Sequence, residues 1–134
     1  MRLLICDDSK TIRILLKSAL AELGHTDVVE VGDGKACLDA VRASKFDIVL
    51  LDLHMPQMDG LEVMKALRAD AATAKLPVVI ISSDADMRNV EQARQLGALG
   101  YLRKPFRVDG IAKAIEAVAG TSKITNQRLT PPKP

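Results

Sequence analysis

Ile48-Val49-Leu50-Leu51-Asp52 places four large apolar residues in a row and then an acid. A helix with one wet side cannot stay apolar through a full turn, but a strand covered on both faces can. The run is also too short for a helix. It therefore reads as a buried strand, Ile48–Leu51, with a carboxylate at its carboxyl end. Four other stretches share the pattern: Leu3–Cys6, Val28–Val31, Val78–Ile81 and, more weakly, Gly100–Leu102. Strands that are apolar throughout point to a parallel sheet buried on both faces.

The segments between these runs have helical spacing. Ile12, Leu15, Leu16, Ala19, Leu20 and Leu23 form one stripe, closed by Gly24. Ala36, Ala40 and Val41 mark a second helix, and Leu61, Met64 and Leu67 a third. Val90, Ala93 and Leu96 mark a fourth, closed by Gly97, and Val108, Ile111, Ala112, Ile115 and Val118 a fifth, closed by Gly120. Strict β-then-α alternation implies a doubly wound α/β sandwich with right-handed crossovers. The polar, proline-ended stretch from Thr121 to Pro134 breaks the pattern and reads as a disordered tail or the start of a linker.

In open α/β sheets, sites form beyond the carboxyl ends of the strands. The first predicted strand is followed by Asp7-Asp8, the third by Asp52, the fourth by Ser82-Ser83, and the fifth by Lys104 within two residues. All fall on one edge. Three carboxylates crowded there repel one another, and a divalent cation removes the conflict. An oxygen-only donor set without clustered His or Cys favours Mg²⁺ over zinc. Mg²⁺ takes one or two carboxylates and keeps room for a phosphate oxygen, leaving a carboxylate free as a nucleophile. Ser82 and Lys104 would then meet phosphoryl oxygens as hydroxyl and point charge. Each residue also has a plain reading: Asp7-Asp8 as helix caps, Ser82 as a turn or cap residue, Lys104 as a solvated surface lysine. Their joint appearance at the strand ends carries the argument.

The chain has 134 residues, enough for one domain with its own core. A net charge of +2 does not by itself imply a nucleic-acid partner, and three aromatic residues cannot make a base-stacking surface. Cys6 and Cys37 lie in apolar or amphipathic runs and read as core residues rather than a disulfide or metal pair. No signal peptide and no apolar stretch of membrane-spanning length is visible, so a cytoplasmic protein is expected.

At these same residues the sequence resembles the receiver domains of two-component response regulators, most closely the CheY-like single-domain type. The motifs are Ile5-Cys6-Asp7-Asp8-Ser9, Leu50 through Gly60 (LLDLHMPQMDG), Ile80-Ile81-Ser82-Ser83, and Gly100-Tyr101-Leu102-Arg103-Lys104-Pro105-Phe106. The resemblance covers residues 1–120, leaving 121–134 as tail or linker stub. It implies a flavodoxin-like (βα)₅ sheet in the order 2-1-3-4-5. It implies Asp52 as phosphoacceptor, with Mg²⁺ (Mn²⁺ able to substitute) held by Asp8 and Asp52 directly, Asp7 more often through water, and the main-chain carbonyl of His54. Ser82 and Lys104 match the residues that meet the phosphoryl group, and a cis Lys104-Pro105 bond is implied. Ser82 and Tyr101 match a switch pair, though Tyr101 alone reads equally as a half-buried edge residue. His54 and Asp84 match positions that modulate phosphoryl lifetime; Asp84 could instead cap the fourth helix.

The implied function is a phosphorylation-activated switch rather than an enzyme acting on a separate substrate, with its own Mg²⁺-dependent autophosphorylation and autodephosphorylation. The implied donor is a sensor histidine kinase or His-phosphotransfer protein. A downstream protein would be read through the fourth helix, fifth strand and fifth helix, as in chemotaxis, by a monomer or a phosphorylation-linked dimer with no nucleic-acid partner. Two other readings remain: a non-phosphorylated receiver used for binding or dimerisation, and the receiver fragment of a longer regulator. An aspartyl-nucleophile phosphatase ranks last, because such enzymes usually carry a second Asp where this chain has His54.

Overall fold

The computed structural model describes residues 1–83 and 87–127. Its elements alternate without exception: β1 (Leu3–Cys6), α1 (Lys10–Glu22), β2 (Val28–Val31), α2 (Gly34–Ala43), β3 (Ile48–Asp52), α3 (Gly60–Ala69), β4 (Val78–Ser82), α4 (Met87–Gln95), β5 (Gly100–Arg103) and α5 (Val108–Gln127). The five strands form one parallel sheet in the order β2-β1-β3-β4-β5. The expected fold and strand order are both present.

The period-two geometry of a strand sends alternate side chains to opposite faces. Leu4, Cys6, Val49, Leu51, Val78 and Ile80 pack with Cys37, Leu38, Val63, Met64, Leu67 and Ala93 from α2, α3 and α4. Leu3, Ile5, Ile48, Leu50, Val79 and Ile81 pack with Leu16, Leu20, Ile111, Ile115 and Val118 from α1 and α5. The three inner strands are covered on both sides, which is why they are apolar up to the Asp52 and Ser82 that end β3 and β4. β2 lies at one edge and is half-buried, so Glu30 is tolerated there.

Three helix starts are fixed by side chains. The Ser9 Oγ accepts from the Ile12 amide at 3.2 Å, and Asp33 Oδ1 accepts from the Ala36 amide at 2.7 Å. Asp59 and Glu62 form a reciprocal capping box on α3. The cap of α1 is therefore Ser9, and neither Asp7 nor Asp8 is spent on that task. α1 and α4 end on left-handed glycines: Gly24 has φ 91° and Gly97 φ 95°. In each, paired bonds such as His25 N–H to Leu20 O at 2.8 Å and Gly24 N–H to Ala21 O at 3.0 Å close the last turn.

Four boundaries differ from expectation. β3, β4 and β5 each run one residue further, to Asp52, Ser82 and Arg103, because the parallel ladder pairs main-chain groups whatever the side chain. The expected stop at Gly120 is not the end of α5, which continues to Gln127. An interior glycine costs a helix about 1 kcal/mol but ends it only where the backbone turns left-handed. The expected tail from residue 121 thus begins within the helix, and residues 128–134 lie outside the described residues.

Candidate functional site

The carboxyl edge of the sheet gathers three acids and a lysine. Asp7 follows β1 directly, Asp52 is the last residue of β3, and Lys104 follows β5 directly. Asp7 and Asp52 are buried, whereas Asp8 is exposed, and one carboxylate oxygen from each lies within 4.8 Å of the others. Lys104 bridges the two buried acids, with Nζ 2.9 Å from Asp7 Oδ2 and 3.5 Å from Asp52 Oδ1. The Asp7 contact is a charge pair rather than an aligned hydrogen bond: among the described residues, buried Oδ2 has no hydrogen-bond partner. Three carboxylates facing one ammonium leave an excess of negative charge when all are ionised.

Burial and that imbalance together push the Asp52 carboxyl pKa up to about 6. Burial is the largest cause, the Asp7 charge the next, and Asp8 adds a smaller push. Lys104 and the main-chain amide of His54, which donates to Asp52 Oδ1 at 3.3 Å, pull the other way.

The residues around Asp52 hold its main chain closely. A Cβ on Gly60 would lie 2.5 Å from the Asp52 carbonyl oxygen and 2.7 Å from Leu53 Cα, closer than packing permits. The Gly60 amide donates to the Leu53 carbonyl at 3.0 Å, so the N-terminus of α3 is seated on the end of β3. Gln57 takes a left-handed φ of 71° in the connecting loop, where the Met58 amide donates to the Pro56 carbonyl at 2.8 Å.

Ser82 ends β4 and is buried, and its carbonyl accepts from the Lys104 amide at 2.9 Å. The Lys104-Pro105 bond is cis, as the resemblance implied. His54 is exposed beside Asp52. Tyr101 is half-buried on β5 and packs against the core cluster under α2, α3 and α4. With Ile80, Val90 and Leu99 it lines a cavity of about 150 Å³. Asp84 lies outside the described residues. A groove of about 680 Å³ is formed by residues 41–46 and 71–77 at the opposite edge of the sheet and contains none of these side chains.

Two residues of this edge were not anticipated. Gly60 was quoted only as part of a motif; an Asp-Gly pair soon after a strand was the available signal. Arg13 was given no role. Its Nη1 donates to the Asp7 carbonyl at 2.8 Å, and its Nε to Glu30 Oε1 at 3.0 Å. Only the register of α1 on β1 and β2 reveals that contact.

Residues 3–116 match the family model of the response regulator receiver domain. The chain belongs to this receiver family. Among curated proteins, the receiver is 35% identical over 118 residues to a chemotaxis protein CheY of Pseudomonas aeruginosa, covering 88% of this chain and 95% of the relative. It is 37% identical over 123 residues to a probable chemotaxis protein CheY of Rhizobium etli, covering 92% of this chain and 95% of that protein. Among solved structures, the receiver superposes on the Vibrio cholerae chemotaxis protein CheY4 with a TM-score of 0.81 at 28% identity, covering 87% of this chain and 97% of that one. Among the described residues, no helix of the receiver is long and apolar enough to cross a membrane.

Proposed function

We propose that this receiver is a phosphorylation-activated switch of a two-component signalling system, with Asp52 as phosphoacceptor. The observation that carries the reading is the convergence of Asp7, Asp8 and Asp52 within 4.8 Å, with Lys104 set between the two buried acids. The donor set is all oxygen, one buried carboxylate oxygen lacks a hydrogen bond among the described residues, and negative charge is in excess. These features fit a divalent cation with oxygen preference. Asp7, Asp8, Asp52 and the main-chain carbonyl of His54 would hold Mg²⁺, or Mn²⁺ in its place. When bound, the ion supplies positive charge to the oxygens of the transferring phosphoryl group.

Asp52 does the chemistry. One carboxylate oxygen attacks phosphorus in line; the new O–P bond forms as the P–N bond of a phosphohistidine breaks, and the electron pair returns to the donor imidazole. The ammonium of Lys104 neutralises a phosphoryl oxygen, and the hydroxyl of Ser82 donates to another. Water later attacks the acyl phosphate, releasing inorganic phosphate and restoring the Asp52 carboxylate. His54, exposed beside the acceptor, and Asp84 would set how fast that water succeeds. The donor is a sensor histidine kinase or a His-phosphotransfer protein.

Phosphorylation draws Ser82 toward the new group and lets Tyr101 repack, shifting the α4-β5-α5 face between two populated states. That face would engage a downstream protein. Similarity to chemotaxis proteins over most of both chains supports a place in chemotactic signalling. The test is labelling by acetyl phosphate. Wild type should gain an acid-stable, alkali-labile acyl phosphate only with Mg²⁺, and Asp52→Asn should gain none. Undiminished labelling of Asp52→Asn would refute the assignment of the acceptor.

A further inference from the structure

Asp8 is the one acid of the cluster whose carboxylate is exposed and makes no hydrogen bond or ion pair with the described residues. The main chain that carries it therefore decides where its side chain starts from. The peptide that precedes it has the Asp7 carbonyl at one end and the Asp8 amide at the other, in a single plane. Whatever fixes that carbonyl fixes the plane from which Asp8 departs. The carbonyl lies just past the end of the β1 ladder, whose last pairs are Cys6 with Val31 and Cys6 with Leu51. Its partner is Arg13 Nη1, at 2.8 Å.

Arg13 is itself held. Its Nε donates to Glu30 Oε1 at 3.0 Å, and the other Glu30 oxygen lies 3.6 Å from Lys17 Nζ, one helical turn beyond Arg13. The Arg13 side chain is only 17% exposed. Gly32 leaves it room: a Cβ there would stand 3.2 Å from Nη1. Glu30 pairs with Ile5 in the ladder, and Ile5 belongs to the face that α1 covers, so acid and arginine meet where α1 crosses the sheet edge. A guanidinium can serve both acceptors at once because its donors are fixed in one planar fork. An ammonium is a single point charge and cannot reproduce the bridge. Helix stability gives no reason for a cation here, since the first turns of a helix favour acids.

We propose that Arg13, held by Glu30, is a positioning residue that aims Asp8 by fixing the Asp7–Asp8 peptide. The proposal rests on the reading of the acidic cluster as a divalent-cation site. Binding of Mg²⁺ to the full chain, measured by isothermal titration calorimetry, tests it. Asp8→Ala should bind weakly. Arg13→Lys and Arg13→Ala should each weaken Mg²⁺ by about tenfold, the scale of loss when a residue that orients a ligand is removed. Glu30→Gln, which keeps an acceptor for Nε, should bind more tightly than Glu30→Ala. Leu16→Val, in the core beneath the same helix, should lower the melting temperature and leave Mg²⁺ affinity unchanged. In metal-free Arg13→Lys the Asp8 amide resonance should move, a change that lost stability alone would not cause.

Wild-type affinity in Arg13→Lys alongside weak binding in Asp8→Ala would overturn the positioning role and leave the metal site standing. Equal losses in Leu16→Val and Arg13→Lys would reduce Arg13 to a structural residue and also overturn it. A wild type that binds no Mg²⁺ would instead overturn the metal site, and the positioning role with it.

Discussion

Asp52 is held at a cost that it would not bear in the unfolded chain. Its pKa of about 6 stands above the ordinary 3.8, so between those values the folded protein binds more protons than the unfolded one. The sign follows: the contribution of Asp52 to stability is present below about pH 4 and is lost as pH rises through about 6. Without metal, Asp52→Asn should therefore be more stable than wild type at pH 7, by on the order of 2–3 kcal/mol. The two should converge near pH 3.5, which denaturant melts at several pH values would show; a constant difference across that range would contradict the shift. The acids, Ser82 and Lys104 were legible from the sequence because each lies within two residues of the end of a recognisable apolar run, and the strand-end rule then places them on one edge. Arg13 was not, because its usefulness depends on where α1 lies across β1 and β2, which no local pattern encodes. Nor could sequence show that a Cβ at position 60 would collide with the main chain of Asp52.

Elements were legible where two local signals agreed. Gly24 and Gly97 follow apolar stripes and do end their helices, whereas Gly120 follows one and does not. A glycine permits a left-handed turn; it does not compel one. The strands were found to within a residue, since β3, β4 and β5 continue by main-chain pairing into polar side chains that the apolar pattern cannot count. Arg68 shows what element-level reading leaves out. From α3 it donates to Leu96 O at 2.7 Å, Leu76 O at 2.9 Å, Thr73 O at 3.2 Å and Gly97 O at 3.3 Å. One guanidinium thus serves the carbonyls that end α4 and those of the loop before β4. Burial lowers its pKa, which marks the desolvation that these acceptors offset. Arg68→Met keeps the stem but leaves those carbonyls without their donor, and should lower stability by about 2–3 kcal/mol. A shifted urea midpoint at an unchanged slope would be the sign; no shift would mean that water replaces the guanidinium without loss.

At the scale of the whole molecule, folding and cation binding are linked. A ligand bound only by the native state stabilises it by mass action, about 2.7 kcal/mol at a hundredfold excess over the dissociation constant. Saturating Mg²⁺ should raise the melting temperature of wild type, and EDTA should reverse the rise. Asp8→Ala, which removes one of the three mutually repelling charges, should be at least as stable as wild type without metal and respond little to it. A rise of equal size in that variant would place the ion elsewhere.

The strand order itself has a consequence. β1 has β2 on one side and β3 on the other, and the chain leaves β1 for α1 on one face of the sheet and β3 for α3 on the opposite face. The two connections part like the halves of a seam, and the acids sit in the opening. The acids themselves belong to neither apolar cluster. On the proposed reading, the timing of a signal rests on exposed His54, while Leu53 and Met55 on either side of it are buried in the core.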